Sequence, residues 1–265
     1  MPAFRPGSLY RRMMNANAIA LVTGAGRGIG RVTARRLSRA GYRVALTARN
    51  GDQLADAAAD CEGETLTVTA DIADTGAAES IFAHVEQQWG TVSTLVLNAG
   101  VAASAPITRI GDDDWQHQLN VNLTAPFRCL RRAVPAMRAV GKGRVVAVAS
   151  MAAKHGDPYI AAYTAAKHGL LGLIRSAAAE LASSGVTVNA VCPGYVDTPM
   201  TDRSVADIAA ATGRTPDEAR RLLAARQPVG RLIDPEEVAE AIMFCINSPG
   251  VTGQGINVDG GAVQS

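Results

Sequence analysis

The chain has 265 residues, of which 48% are hydrophobic and 19% charged, and its formal net charge is +2. This length suits one large α/β domain or two small ones, with a core that needs no disulfide or metal to stabilise it. So small a charge gives no sign of nucleic acid or a membrane surface as a partner, and we expect neither. Four well-separated cysteines, with no Cys-x-x-Cys pair, predict unpaired thiols in a reducing compartment such as the cytoplasm, and no metal site.

The N-terminal stretch differs from the rest of the chain. Residues 1–17 carry Arg5, Arg11 and Arg12, no acidic residue, and no apolar run typical of a secretory signal. We expect a disordered tail there, with Met13 or Met14 as alternative starts to Met1. No apolar run in the sequence reaches the length of a membrane-spanning helix. The folded domain is therefore expected over residues 18–265.

A glycine-rich turn follows the first predicted strand, residues 18–23, and precedes a helix predicted over 31–40. The turn is Thr23-Gly24-Ala25-Gly26-Arg27-Gly28-Ile29-Gly30. A strand, a glycine-rich turn and a helix in this order point backbone N–H groups at a pyrophosphate. Because the spacing is Gly-x-x-x-Gly-x-Gly rather than Gly-x-Gly-x-x-Gly, an ordinary loop remains the alternative.

The end of the second strand predicts which nicotinamide cofactor is used. This strand, Val44 to Thr47, leads to Arg49 with no acidic residue before Gly51. NAD enzymes usually carry an acidic residue here, which binds the ribose 2′-hydroxyl. Arg49 and Arg27 are instead suited to a 2′-phosphate, which a planar guanidinium binds well. The sequence therefore predicts NADP(H), with NAD(H) as the alternative if both arginines are solvated surface charges.

Helices and strands go on alternating along the rest of the chain. Further strands are predicted at 65–70, 92–97, 144–149, 186–191 and within 252–261, and further helices at 52–61, 75–89, 112–139, about 163–183 and 235–246. We therefore predict an α/β fold, a single domain with a doubly wound parallel sheet of seven strands, of the Rossmann type. The polar segment at about 197–228, with two short helices separated by Gly213, is either a substrate lid or a peripheral decoration. Its arginines, among them Arg203, could meet a phosphopantetheine or nucleotide phosphate.

Three segments carry candidate chemistry. Tyr163 and Lys167 are four residues apart and share one face of a helix. An ammonium beside a phenol favours the phenolate, so Tyr163 could serve as the acid or base of alcohol–ketone chemistry. The pair alone is more often surface decoration, but Ser150 ends the fifth strand nearby. Asn122, amid apolar neighbours, predicts either an internal helix-kink bond or part of a site.

Together these residues resemble the compact, single-domain branch of the short-chain dehydrogenase/reductase family, over about residues 19–261. The motifs that carry the resemblance are Thr23-Gly24-x3-Gly28-x-Gly30, Asn98-Ala99-Gly100, Asn122, Ser150, Tyr163-x3-Lys167 and Pro193-Gly194. The resemblance implies that Tyr163 exchanges a proton with the alcohol oxygen and that Ser150 hydrogen-bonds the substrate carbonyl. It implies that Lys167 lowers the pKa of Tyr163 and binds the nicotinamide ribose. Asn122 would hold a water that links Lys167 to solvent.

The same resemblance implies a set of cofactor-binding residues. That set is Gly24, Arg27, Gly28, Ile29, Gly30, Arg49, Asp71, Ile72, Asn98, Ala99, Gly100, Tyr163, Lys167, Pro193, Gly194, Val196 and Thr198. Asp71 and Ile72 would line the adenine, and Val196 and Thr198 would meet the carboxamide end. Members of the family are usually tetramers, so a homotetramer is expected.

Within the family, the pattern most resembles reductases of 3-oxoacyl thioesters carried by acyl carrier protein or coenzyme A, and polyketide ketoreductases. The expected reaction is reduction of a 3-oxoacyl thioester to the 3-hydroxyacyl thioester with NADPH, in fatty acid metabolism. The nearer alternative is an alcohol, polyol or cyclic-ketone dehydrogenase of the same fold. The farther one is a nucleotide-sensing protein that has lost its chemistry, and retention of all four catalytic positions argues against it.

Overall fold

The sheet is parallel throughout and contains seven strands. The computed structural model describes residues 18–264, so the tail predicted at 1–17 lies outside the described residues. The strands are β1 (Ile19–Thr23), β2 (Arg43–Ala48), β3 (Thr65–Thr69), β4 (Thr94–Leu97), β5 (Gly143–Val148), β6 (Val186–Pro193) and β7 (Gly255–Val258). Their order across the sheet is β3-β2-β1-β4-β5-β6-β7, with every neighbouring pair parallel. This confirms the predicted doubly wound sheet.

Helices pack on both faces of the sheet. They are α1 (Gly28–Arg39), α2 (Gly51–Ala59), α3 (Ala77–Trp89), α4 (Asp112–Leu119), α5 (Ala125–Val140), α6 (Ala161–Leu181), α7 (Pro199–Thr212), α8 (Pro216–Ala225) and α9 (Pro235–Asn247). In β1, Ile19 and Leu21 join a core with α3, α5 and α6, whereas Ala20 and Val22 join one with α1, α2 and α9. Because both faces are covered, the central strands β1, β4 and β5 are mainly apolar instead of alternating, whereas the edge strand β3, Thr-Leu-Thr-Val-Thr, alternates and is only partly buried.

The helix predicted over 112–139 is interrupted. The structure has α4, then a π-helical turn at Asn120–Thr124, then α5. A π turn widens the helix by one residue without ending it, so the apolar pattern continues across it and does not reveal the break. The prediction of a single long helix was therefore wrong in its middle, at the position of Asn122.

Two helices form within the segment predicted to be a lid. Gly213, with φ of 71°, ends α7 in the left-handed conformation, and Thr215 and Glu218 form a capping box that starts α8. Arg220 of α8 pairs with Asp197 and with Asp202, which fastens α8 to the start of α7. The helices are where the sequence predicts them, and their role as a lid stays a prediction.

The cysteines are unpaired. Cys129, Cys192 and Cys245 are buried and Cys61 is half-buried, which confirms the thiols expected from the sequence. Within residues 18–264, no three His, Cys, Asp or Glu side chains are grouped so that they could hold a metal ion. Over the same range, none of the helices is apolar for a long enough stretch to cross a bilayer.

The sheet order places its reversal point between β1 and β4. From there one half of the sheet continues through β2 and β3, and the other through β5, β6 and β7. In open parallel sheets, ligands bind beyond the carboxyl ends of the strands at this reversal. The glycine turn after β1, the Asn98 segment after β4 and Ser150 after β5 all lie at that edge.

Candidate active site

One cavity of about 540 Å³ lies along the carboxyl ends of the strands. It is lined by every residue predicted for catalysis or cofactor binding except Gly30. Gly30 lies behind the wall, where a Cβ would collide with the carbonyl of Gly24 and the side-chain amide of Asn98. This glycine is therefore needed for close packing of α1 against the turn, since no other residue would fit.

The glycine turn is fastened to the end of β4. Thr23 Oγ1 accepts hydrogen bonds from the backbone N–H groups of Asn98 and Ala99, at 3.0 and 3.1 Å. The Asn98 amide donates in return to the carbonyls of Thr23 and Gly24, at 2.9 and 3.0 Å. Gly24 has φ of +65°, and a Cβ there would lie 2.8 Å from Ala99 Cα.

This turn forms a cradle at the start of α1, which begins at Gly28 and has no acidic residue in its first turn. The unpaired N–H groups and positive dipole end of a helix N-terminus favour an anion such as a pyrophosphate. The residues present therefore fit a dinucleotide along the cavity.

The cavity wall includes the residues predicted to bind the adenosine part of the cofactor, which are Arg27, Arg49, Asp71 and Ile72. Asp71 accepts a hydrogen bond from Ala73 N at 3.0 Å and lies 3.7 Å from the Arg49 guanidinium. That separation leaves the Arg49 guanidinium only weakly paired, so it is available to a ligand.

Ser150 and Tyr163 meet in the same cavity. Ser150 lies two residues after the end of β5, and its Oγ accepts a hydrogen bond from Ala152 N at 3.1 Å, which caps a short 3₁₀ turn. Tyr163 lies in the first turn of α6. Burial raises the pKa of the Tyr163 phenol, and a hydrogen bond with Ser150 opposes that rise. A hydroxyl pair in hydrogen-bond contact within the cavity is suited to binding one carbonyl oxygen.

The structure shows no lowering of the Tyr163 pKa by Lys167: burial raises that pKa, and the hydrogen bond with Ser150 is what opposes the rise. Lys167 Nζ lies 5.6 Å from the centroid of the Tyr163 ring and donates a hydrogen bond to the Val148 carbonyl at 2.9 Å. Burial lowers the pKa of Lys167 to about 8, and the nearby Cys192 thiol partly offsets this. Desolvation therefore moves the phenol and the ammonium towards their neutral forms.

Asn122 is fully buried in the π-helical turn. Its Nδ2 donates to the Val101 carbonyl at 2.9 Å, and its Oδ1 accepts from Val101 N at 3.2 Å. A Cβ on Gly100 would lie 3.1 Å from Asn122 Oδ1 and 3.7 Å from Lys167 Nζ. Asn122 thus lines the cavity, as the second alternative requires. Its hydrogen bonds go to Val101, outside its own helix, so they are not the internal helix-kink bond of the first alternative. Its role in holding a water stays a prediction.

The cavity also includes residues that were not in the predicted set. Pro199, Met200, Thr201 and Arg203, all in α7, contribute to its wall. Sequence reasoning placed them only within a segment that was either a lid or a decoration. The signal that could have found them is the Thr198-Pro199 start of a helix directly after the predicted carboxamide-binding residues.

Comparisons with known proteins identify the family to which this chain belongs and several similar enzymes. Residues 18–209 match the sequence profile of the family described as short chain dehydrogenase. The chain is 34% identical over 250 residues to the 3-oxoacyl-[acyl-carrier-protein] reductase FabG of Thermotoga maritima, covering 92% of this chain and 97% of that protein. It is 38% identical over 251 residues to the cis-4-hydroxycyclohexanecarboxylate dehydrogenase of Sinomonas cyclohexanicum, covering 93% and 96%. A crystal structure of an actinorhodin polyketide ketoreductase variant with NADPH superposes with a TM-score of 0.90 at 36% identity, covering 93% of this chain and 97% of that one.

Proposed function

The chain belongs to the short-chain dehydrogenase family and is an oxidoreductase, and from that premise we propose that it reduces 3-oxoacyl thioesters to 3-hydroxyacyl thioesters with NADPH. One observation carries the proposal. Ser150, Tyr163 and Lys167 line the same cavity as the glycine turn, although they lie far apart in the sequence. Similarity to a 3-oxoacyl reductase and to a ketoreductase solved with NADPH supports the substrate class and the cofactor.

Each group has a role set by its position. The glycine turn and the start of α1 hold the pyrophosphate, and Arg27 and Arg49 hold the 2′-phosphate. Lys167 holds the nicotinamide ribose. When bound, NADPH supplies the hydride. The adenine end of the cofactor would lie against Asp71 and Ile72, and the carboxamide end against Val196 and Thr198.

The protein's own chemistry is proton transfer. Ser150 donates a hydrogen bond to the ketone oxygen and stabilises the negative charge that develops there. Tyr163, which holds its proton at neutral pH because burial raises its pKa, donates that proton to the same oxygen. Lys167 and Asn122, which converge at Gly100, provide the route by which the proton is replaced.

The segment 197–228 acts in this proposal as a lid. Support comes from α7, whose residues Met200, Thr201 and Arg203 line the cavity. The assembly expected for such an enzyme is a homotetramer. The cytoplasmic location and the role in fatty acid metabolism stay predictions.

Acetoacetyl-CoA with NADPH is the first assay, with Tyr163→Phe as the test variant. We expect kcat to fall about 10²–10⁴-fold, because the general acid is lost, while the affinity for NADPH, measured by fluorescence titration, stays largely intact. Tyr159→Phe is the matched control, since that ring is 64% exposed and does not line the cavity. Near-normal kcat in Tyr163→Phe would contradict the catalytic assignment.

A second function has specific support. The identity to a dehydrogenase of a hydroxycyclohexane carboxylate is as high as that to the thioester reductase, which favours a cyclic alcohol or ketone as the alternative substrate. Comparing kcat/KM for acetoacetyl-CoA with kcat/KM for substituted cyclohexanones and cyclohexanols decides between them. Absence of activity on any 3-oxoacyl thioester would leave the cyclic substrate as the better assignment.

A further inference from the structure

Three arginines from separate parts of the chain line one end of the cavity. Arg27 lies in the glycine turn, Arg49 follows β2, and Arg203 lies in α7. All three side chains are exposed to the cavity or to solvent. The first two were expected at the 2′-phosphate, whereas Arg203 belongs to the segment proposed as a lid.

The three charges are poorly neutralised. Across residues 18–264, Arg27 and Arg203 have no carboxylate within 4.0 Å, and Arg49 has only Asp71, at 3.7 Å. Arg220, one helix further along, is by contrast paired with two aspartates. Partial burial, followed by repulsion from Arg203 and from Arg49, lowers the pKa of Arg27. Like charges held together without counter-charges repel one another, and a bound anion relieves that repulsion.

The position of the cluster indicates which anion. Its neighbours in the cavity wall are Thr47 and Ala48, at the end of β2, and Ala70, after β3. In a doubly wound sheet this is where the adenosine ribose of a dinucleotide lies. Guanidinium groups bind a phosphate dianion through several charge-assisted hydrogen bonds. A phosphate on the ribose is therefore the ligand that fits.

A phosphate from the substrate is the competing source. A second cavity, of about 900 Å³, lies between α4 and α7 and meets the first at Arg49, Val101 and Arg203. A thioester substrate entering from that side could bring the 3′-phosphate of coenzyme A to the same arginines. Asp114 and Asp207 also line the second cavity, however, and their charges disfavour a phosphate there.

We propose that Arg203 completes the site of the cofactor 2′-phosphate, so that NADP(H), and not NAD(H), draws α7 onto the cofactor. Arg203 is then a specificity-determining residue supplied by the lid. The inference rests on the proposed preference for NADP(H). It adds that recognition of the 2′-phosphate and ordering of the lid are one event, because Arg203 takes part in both.

The test uses ligand binding and needs no turnover. Adenosine 2′,5′-bisphosphate, adenosine 3′,5′-bisphosphate and 5′-AMP are titrated calorimetrically into the wild type, Arg203→Gln and Arg49→Gln. Arg221→Gln is the matched control, because Arg221 is an exposed lid arginine that lines neither cavity. Arg203→Gln should weaken the 2′,5′-bisphosphate about tenfold to a hundredfold, which corresponds to one charged hydrogen-bonding group, and leave 5′-AMP unchanged.

Amide hydrogen exchange in α7 measures whether the lid becomes ordered when a ligand binds. Adenosine 2′,5′-bisphosphate should slow exchange of the α7 amides in the wild type and Arg221→Gln, but not in Arg203→Gln, whereas 5′-AMP should slow it in none of them.

Three results would overturn the inference, and they are distinguishable. If Arg49→Gln loses affinity for the 2′,5′-bisphosphate and Arg203→Gln does not, the cofactor preference stands and only the role of Arg203 fails. If Arg203→Gln selectively loses the 3′,5′-bisphosphate, Arg203 serves a substrate phosphate instead. If the wild type binds 5′-AMP as tightly as the 2′,5′-bisphosphate, the preference for NADP(H) fails and the inference fails with it.

Discussion

Replacing Lys167 by methionine should change how stability depends on pH. Lys167 is only 3% exposed, and burial lowers its pKa from 10.5 to about 8. Below pH 8 the lysine is protonated in both the folded and unfolded states, so the folded state carries the full cost of the buried charge, about 3 kcal/mol. Between pH 8 and 10.5 only the unfolded state keeps the proton. The cost therefore shrinks as pH rises, and it is gone above the pKa of the unfolded chain.

Lys167→Met keeps the length of the side chain and removes the charge. The free energy of unfolding is measured by urea titration for both proteins at one protein concentration, from pH 7 to pH 9.5. We expect the variant's stability relative to the wild type to fall by about 2 kcal/mol over that range. Thiols and phenols that do not interact with Lys167 titrate in both proteins and cancel in the difference. Cys192, whose thiol interacts electrostatically with Lys167, is replaced by alanine in both proteins so that its titration does not contribute. Loss of the hydrogen bond to Val148 is expected mainly as a constant offset. Lys142→Met, at an exposed position, controls for losing a lysine in general. A difference that is flat between pH 7 and 9.5 would refute the reasoning.

Three further predictions follow from packing and assembly. Gly185→Ala should destabilise the protein by roughly 1–3 kcal/mol in urea titration, since φ there is +77° and a Cβ would collide with the Gly141 carbonyl. Gly76→Ala, with φ of −87° and no atom within 4 Å of the new Cβ, should be neutral, and equal effects would disprove the packing argument. Asn122→Ala should lower the free energy of unfolding by about 2–4 kcal/mol, because it leaves the N–H and C=O groups of Val101 without their side-chain partner. Unchanged stability would argue against a stabilising role for these two hydrogen bonds. Light scattering should give a mass four times 27.5 kDa, and a mass of one chain would rule out the tetramer.

The sequence predicted the sheet and the residues at its edge because both depend on local pattern. Continuous apolar runs separated by amphipathic helices require parallel strands covered on both faces. Once the strands are parallel, whatever follows β1, β4 and β5 must meet at one edge. Thr23, Asn98 and Ser150 are therefore brought to one cavity by topology, with no knowledge of their contacts.

The remaining features depend on long-range packing, which periodicity does not report. The π turn at Asn122 adds one residue to a turn without interrupting the apolar pattern. Arg203 reaches the cavity only because α7 folds back over the strand ends. Gly30, which looked like part of the ligand cradle, supports the cradle from behind. Each position was visible in the sequence, but its surroundings were not.

The pKa of Tyr163 depends on the same kind of long-range packing. A lysine four residues away predicts a phenolate, but Lys167 is not among the groups that shift the pKa of Tyr163, and burial raises that pKa and keeps the phenol protonated. Reduction of a ketone consumes a proton at the carbonyl oxygen, so it requires the phenol. Oxidation of an alcohol requires the phenolate. The hydrogen bond from Ser150 opposes the effect of burial and thereby limits how weak an acid Tyr163 becomes. With Lys167 mainly protonated below its pKa of about 8, a proton source stands beside the phenol at neutral pH. Burial of this pair therefore sets which protonation states are present at neutral pH, and those states follow from the packing around α6 rather than from the spacing of the two residues.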